Sequence, residues 1–125
     1  MSVPKNPVIL KFFLIKVGNI MSVSVDTDNF DKEVLKSEGI VLADFYSDSC
    51  GPCRRVSPML NELEEKYKNK IKLAKINVNS DVKLARKYVV QAVPTIVFFK
   101  NGEESARIVG AADKSDYSSV IDNMI

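Results

Sequence analysis

The chain has 125 residues, 46% of them hydrophobic and 27% charged, the size and balance of one soluble globular domain with a single core. Its five glycines and five prolines are too few for a collagen-like or low-complexity chain, and its apolar content is too high for a disordered one. The absence of histidine excludes Ser-His-Asp and Cys-His nucleophile pairs and His-ligated metal sites, while 18 basic and 16 acidic side chains, interspersed, offer no basic stripe for nucleic acid.

Residues 1–20 stand apart, because Lys5, Lys11 and Lys16 are their only charges. The apolar stretch from Val8 to Ile15 is too short to span a bilayer, and Lys11 interrupts it. Without an unbroken apolar run or an Ala-x-Ala-like cleavage site it does not read as a secretory signal. It is expected to be an N-terminal extension: a sticky leader, an extra edge strand, or translated sequence ahead of a start at Met21. The folded domain is expected at 21–125, without a membrane association.

From Met21 onward, strand and helix patterns alternate. Ser22 to Val25 reads as a short strand, and Asp28 or Asn29 is placed to cap a helix carrying Phe30, Val34 and Leu35 on one face and ending at Gly39. Ile40 to Tyr46 is a strand apolar on both faces, as expected in the middle of a sheet covered on two sides. Val56, Met59, Leu60, Leu63 and Tyr67 recur at helical spacing, predicting a helix from Cys50 to about Tyr67 that Pro58 should kink. Ile71 to Val78 is the next strand, and Asn79 or Ser80 is placed to cap a short helix burying Val82, Leu84, Ala85 and Tyr88. Thr95–Phe99 and Glu104–Val109 are two β-rich runs joined through Asn101-Gly102, a hairpin signal because both residues tolerate positive φ. Tyr117, Val120, Ile121 and Met124 then form the apolar stripe of a closing helix capped at Asp113 or Ser115. The order β-α-β-α-β-α-β-β-α predicts an α/β fold: a central mixed sheet with helices on both faces, parallel where helices link the strands and antiparallel at the final hairpin.

The only two cysteines lie in one run, Cys50-Gly51-Pro52-Cys53, between an interior strand and a helix. A bridge across two residues closes almost no loop, so a structural staple is a poor explanation. Residues i and i+3 of a helical turn lie about 5 Å apart at Cα, within disulfide range, so the pair can open and close with little backbone motion. Cys50, at the N-cap or first turn, faces unpaired backbone N–H groups that favour the thiolate, and Cys53, one turn in, is expected to be more shielded. That asymmetry suits an attacking and a resolving thiol. Pro52 fits a helix start, and Gly51 lets another chain approach the sulfur. Structural zinc needs four ligands, so two thiolates without imidazole would serve only in a site shared between two chains.

These residues, with Asp44-Phe45-Tyr46, Pro58, Lys75, Val93-Pro94-Thr95, Lys100-Asn101-Gly102 and Val109-Gly110, resemble the thioredoxin family over residues 22–125. The resemblance implies the thioredoxin-like fold, a cis proline at Pro94 beside the disulfide, and a substrate chain paired to the backbone at Val93, with Gly51, Pro52 and Gly110 in the same binding surface. It implies proton transfer between Asp44 and the inner cysteine. Alternation along the strand independently places Asp44 on the face of Leu42, where burial raises a carboxyl pKa. The alternative is a strand-end carboxylate that reaches water. Lys75 alternates with Ile71 and Leu73, so its stem is covered and its ammonium approaches Asp44, against the plainer reading of a snorkelling surface lysine.

Two departures from the family pattern stand out. Tyr46 and Ser49 occupy positions where the family usually has tryptophan, and this chain has none. The thiol rim is thereby more polar, which bears on substrate range more than on the reaction. Arg54-Arg55 stands where one lysine is common, read as a solvated helix face.

The expected function is protein-disulfide reduction by dithiol exchange, with Cys50, Cys53, Asp44 and Lys75 as the reacting group. The resemblance implies no bound cofactor or metal, and recycling by an NADPH- or ferredoxin-dependent thioredoxin reductase. A monomer in the cytosol is expected, where such a pair stays reduced. The alternatives are an exported oxidant or isomerase of the same fold, and a docking subunit with dispensable thiols.

Overall fold

A computed structural model describes residues 22–125; the expectations for the first twenty residues and Met21 lie outside it. The elements in order are β1 (Val23–Ser24), a single π-helical turn α1 (Asp31–Leu35), β2 (Ile40–Tyr46), α2 (Gly51–Lys66), β3 (Ile71–Asn77), α3 (Val82–Lys87), β4 (Thr95–Lys100), β5 (Glu103–Val109) and α4 (Lys114–Met124).

The five strands form one sheet in the order β1-β3-β2-β4-β5. β2 sits at its centre, parallel to β3 from Ile40↔Ile71 to Tyr46↔Asn77 and antiparallel to β4 from Ile40↔Lys100 to Phe45↔Thr95. Alternation on β2 then divides the core. Ile40 and Leu42 face Leu60 and Leu63 of α2 and Tyr117 and Ile121 of α4, whereas Val41, Ala43 and Phe45 face Phe30, Val34 and Leu84. Each fully buried Leu contributes about 1.5–3 kcal/mol, so the Leu60 and Leu63 contacts fix α2, and with it the position of Cys50, against the sheet.

The structure corrects the strand directions. The pattern predicts β4 as a parallel crossover strand with β5 alone reversed, yet β4 runs antiparallel to β2 and β5 antiparallel to β4. The reason is length. Six residues of α3 rise only about 9 Å, while a seven-residue strand spans about 23 Å. α3 alone does not return the chain to the starting end of β3, and the residues behind it, turned at 88–89 and bent at 92–94, do not extend to cover the rest. β4 therefore begins at the end of the sheet where β2 and β3 finish, which brings Val93 and Pro94 to the same edge as Cys50.

Helix starts differ in detail. The Asn29 carboxamide oxygen accepts from Asp26 N at 2.8 Å, and Asp26 accepts from Asp28 N at 2.9 Å. The Asn29 side chain is spent in that turn, neither predicted residue caps a helix, and only the π-helical turn behind Phe30 follows. Asp81, not Asn79 or Ser80, caps α3, accepting from Leu84 N at 2.9 Å and from the Thr27 hydroxyl at 2.6 Å. Val82 lies exposed rather than in the core. α2 runs unbroken through Pro58. The hairpin turn has Asn101 and Gly102 at φ 50° and 86°, the doubly positive geometry that Asn-Gly favours.

Candidate active site

β2 ends at Tyr46, and the chain turns through Ser47–Ser49 into α2, whose N-cap is Cys50 in extended conformation. Cys50 N donates to Ser47 O at 3.2 Å, closing that turn. Pro52 sits in the first helical turn, where an N–H would have no partner anyway, and no side chain lies within 4 Å of the space a Cβ would occupy on Gly51.

Cys50 and Cys53 are joined as a disulfide with Cα atoms 5.3 Å apart. The Cys53 backbone N–H points at the Cys50 sulfur at 3.1 Å. Once the bond is reduced, that donor and the helix dipole, with no acidic side chain in the first turn, stabilise negative charge on Cys50. Cys50 is half-buried, and Cys53 is 6% exposed. Cys50 is thus the more accessible of the two.

The opposite lip comes from β4 and β5. Val93 O lies 3.7 Å from Cys50 Sγ, and the Val93–Pro94 bond is cis. The Thr95 hydroxyl donates to Ala92 O at 2.7 Å, and Gly110 N donates to Pro94 O at 2.7 Å. Gly51 and Pro52 lie within the disulfide loop, Val93 touches its outer sulfur, and Gly110 is tied to Pro94, the residue after Val93. Gly110 has φ 85° and open space over its α-carbon.

On β2, Asp44 is 2% exposed, and its partner Lys75 lines a cleft together with Cys53. Asp44 Oδ2 lies 3.7 Å from Lys75 Nζ, an ion pair beyond hydrogen-bond length, and Asp44 Oδ1 has no hydrogen-bond partner among the described residues. Burial pushes the carboxyl up to about 6, with Lys75 opposing. Asp44 is no solvated strand-end carboxylate. Lys75 is no free surface lysine either: its ammonium donates to the Ser57 hydroxyl at 3.0 Å and lies 4.8 Å from the centre of the Tyr46 ring.

A small cleft beside the inner cysteine is lined by Tyr46, Ser47, Asp48, Cys53, Arg54, Ser57 and Lys75. Arg54 reaches across its mouth to donate to Asp48 O at 3.1 Å, while Arg55 is exposed. The polar rim anticipated from the missing tryptophans is built by Ser47 and Ser49, whose hydroxyls lie 3.2 Å apart, and by Asn79, which donates to Ser47 at 2.8 Å. Ser57 is the site residue that sequence reasoning missed. Its one signal is position, four residues after Cys53 and so on the same helical face. Among the described residues no group of three or more potential metal ligands occurs.

The thioredoxin family model matches residues 21–123. Chloroplastic thioredoxin M5 of Oryza sativa subsp. japonica is 36% identical over 115 residues, 90% of this chain and 67% of its own length. The chloroplastic M-type thioredoxin of Pisum sativum is 39% identical over 101 residues, 81% of this chain and 59% of its own length. A thioredoxin of Pyropia yezoensis is 41% identical over 106 residues, 84% of this chain and 99% of its own length. This chain thus spans well under two thirds of the pea protein and nearly the whole of the algal one. The rice and pea proteins overturn the expected cytosolic location. A dithiol of this kind works wherever a reductant is supplied, so the absence of secretory features does not point to the cytosol.

Proposed function

The chain belongs to the thioredoxin family of protein-disulfide reductases, and within that reaction we propose that Cys50 attacks, Cys53 resolves and Asp44 takes the Cys53 proton. The observation that carries this is the unequal setting of the two sulfurs: Cys50 is half-open at a helix N-terminus and receives the Cys53 N–H, while Cys53 is buried beside the cleft that Ser57 and Lys75 line. Cys50 thiolate attacks a substrate disulfide, forming a mixed disulfide and releasing one substrate thiolate. Cys53 gives its proton to Asp44 and bonds to Cys50 Sγ, and the second substrate sulfur leaves with the electron pair. The substrate loses its disulfide and the chain gains one. No bound cofactor takes part.

Gly51, Pro52, Val93, Pro94 and Gly110 form the proposed substrate surface, where an extended peptide adds to the backbone before Pro94. Residues 21–125 form the proposed reductase domain and 1–20 an extension. A plastid setting, supported by the chloroplastic rice and pea relatives, favours recycling by a ferredoxin-dependent reductase over an NADPH-dependent one. Side-by-side assays with each reductase test that choice.

Trapping tests the thiol roles. Cys53→Ser should accumulate mixed disulfides through Cys50, and Cys50→Ser should form none. Mass spectrometry showing capture through Cys53 instead would reverse the assignment.

A further inference from the structure

We propose that Ser57 is a positioning residue for the resolving step, holding the Lys75 ammonium off Asp44 so that the carboxylate stays basic enough to take the Cys53 proton. The inference rests on the reading of Asp44 as that acceptor. An ammonium has three N–H donors. Lys75 gives one to Ser57 at 3.0 Å, faces the Tyr46 ring at 4.8 Å, and stops 3.7 Å short of Asp44 Oδ2. Among the described residues the Ser57 hydroxyl is the one hydrogen-bond acceptor of this ammonium, and the Tyr46 ring is its other close contact away from Asp44. Lys75 comes from the neighbouring strand β3 and Ser57 from α2, which also carries Cys53. α4 presents the Tyr117 hydroxyl, which feels the Asp44 charge, as does Tyr46 on the same strand. On β4 the residue opposite Asp44 is Ile96, which carries no charge. Among the described residues Lys75 is therefore the one cation that acts on Asp44, and Ser57, with the Tyr46 ring behind it, sets its distance.

Without the Ser57 hydroxyl, the freed N–H is expected to close the gap to a charge-assisted hydrogen bond of about 2.8 Å. Asp44 would then ionise more readily and accept a proton less readily. The Cys53 thiol would lose its proton more slowly, although both cysteines and the whole peptide-facing surface remain unchanged. Because Ser57 is half-buried on a helix, alanine fits the site and helix propensity favours it.

The experiment compares wild type, Ser57→Ala, Ser57→Thr and Asp44→Asn in the full chain. It follows the Asp44 carboxyl carbon by NMR titration of the oxidised protein, and the resolving rate by rapid quench of a preformed mixed disulfide from pH 5 to 9. In Ser57→Ala the Asp44 titration and the acid limb of the rate profile should both move down by about half a pH unit or more, with the maximal rate falling roughly two- to fivefold. Ser57→Thr, which keeps the hydroxyl, should restore all three. An unshifted or upward-shifted Asp44 titration in Ser57→Ala overturns the role of Ser57, even if Asp44→Asn is slow. A wild-type rate profile in Asp44→Asn overturns the acceptor role itself.

Discussion

Val93 O lies 3.7 Å from the Sγ of Cys50 across a sequence separation of 43 residues. The contact follows from the reversal of β4, which starts beside Phe45 at the end of β2. A parallel β4 would have put Val93 at the far end of the sheet. Cys50 and the backbone before Pro94 share an edge because α3 and the turned residues after it do not carry the chain back across the sheet.

Gly110 tests that edge. Its N–H holds Pro94 O at 2.7 Å, and the space above its α-carbon is open, so a methyl there meets no atom of the protein itself. A substrate strand lying against Val93 would meet it. Gly110→Ala should therefore lower kcat/KM several-fold for protein disulfides while leaving reduction of a small aromatic disulfide near wild type. The strain of a non-glycine residue at φ 85° should cost about 1 kcal/mol in denaturant melts. Equal losses on both substrates would mean that Gly110 serves the fold and not the substrate.

The hairpin turn makes a second contrast. Asn101 locks onto Gly39, its side chain accepting from Gly39 N at 2.8 Å and its N–H donating to Gly39 O at 2.9 Å. Gly39 and Gly102 share nearly the same positive φ, 83° and 86°, but a Cβ on Gly39 meets nothing, whereas one on Gly102 would collide with the Leu35 carbonyl. Gly39→Ala should cost about 1 kcal/mol of stability, and Gly102→Ala clearly more, about 2–4 kcal/mol, because backbone must move. Equal losses would show that conformation alone governs both positions.

The sequence makes the chemistry of this site more legible than its geometry. Cys50 and Cys53 are adjacent in a motif, and Asp44 and Lys75 follow from alternation along strands whose apolar partners are plain. Ser57 could not be found that way, because a serine on a half-buried helical face has no distinguishing pattern until Lys75 is seen to reach it. The cap of α3 was ambiguous for a related reason. Asn79, Ser80 and Asp81 are all good caps, and the choice is made by Thr27, distant in sequence, whose hydroxyl and N–H both bind Asp81. The direction of β4 is set by how the chain turns after α3, and residues 88–94 carry no local pattern that announces it.

Val89 carries visible backbone strain. It is a β-branched residue at φ 54°, 64% exposed, so its side chain gains little from burial to offset the left-handed conformation. Its carbonyl accepts from Arg107 at 3.5 Å, a contact that any residue preserves. Val89→Asn should raise stability by about 0.5–1 kcal/mol, since asparagine tolerates that region. A lower melting temperature would show that the Val89 side chain has a partner worth more than the strain.

Asp44 links burial to pH. Its folded carboxyl stands at about 6 against an ordinary value of 3.8, so as pH rises the unfolded chain releases this proton first. Between those two values the unfolded state binds fewer protons than the folded one, and stability falls; above about 6 the penalty is constant. Asp44→Ala removes it. The oxidised variant should be more stable than wild type at pH 7 by an amount on the order of 1 to 3 kcal/mol, with the advantage vanishing below the unfolded value. Lys75 loses its carboxylate but keeps Ser57 and the Tyr46 ring, so the substitution strands no unpaired cation. Activity should move the opposite way. Resolution should be slow near neutral pH and recover as the Cys53 thiol ionises unaided at higher pH. Urea melts at pH 3, 5 and 7 with single-turnover rates measure both effects, and a stability difference that does not depend on pH would mean that Asp44 ionises alike in the folded and unfolded chains.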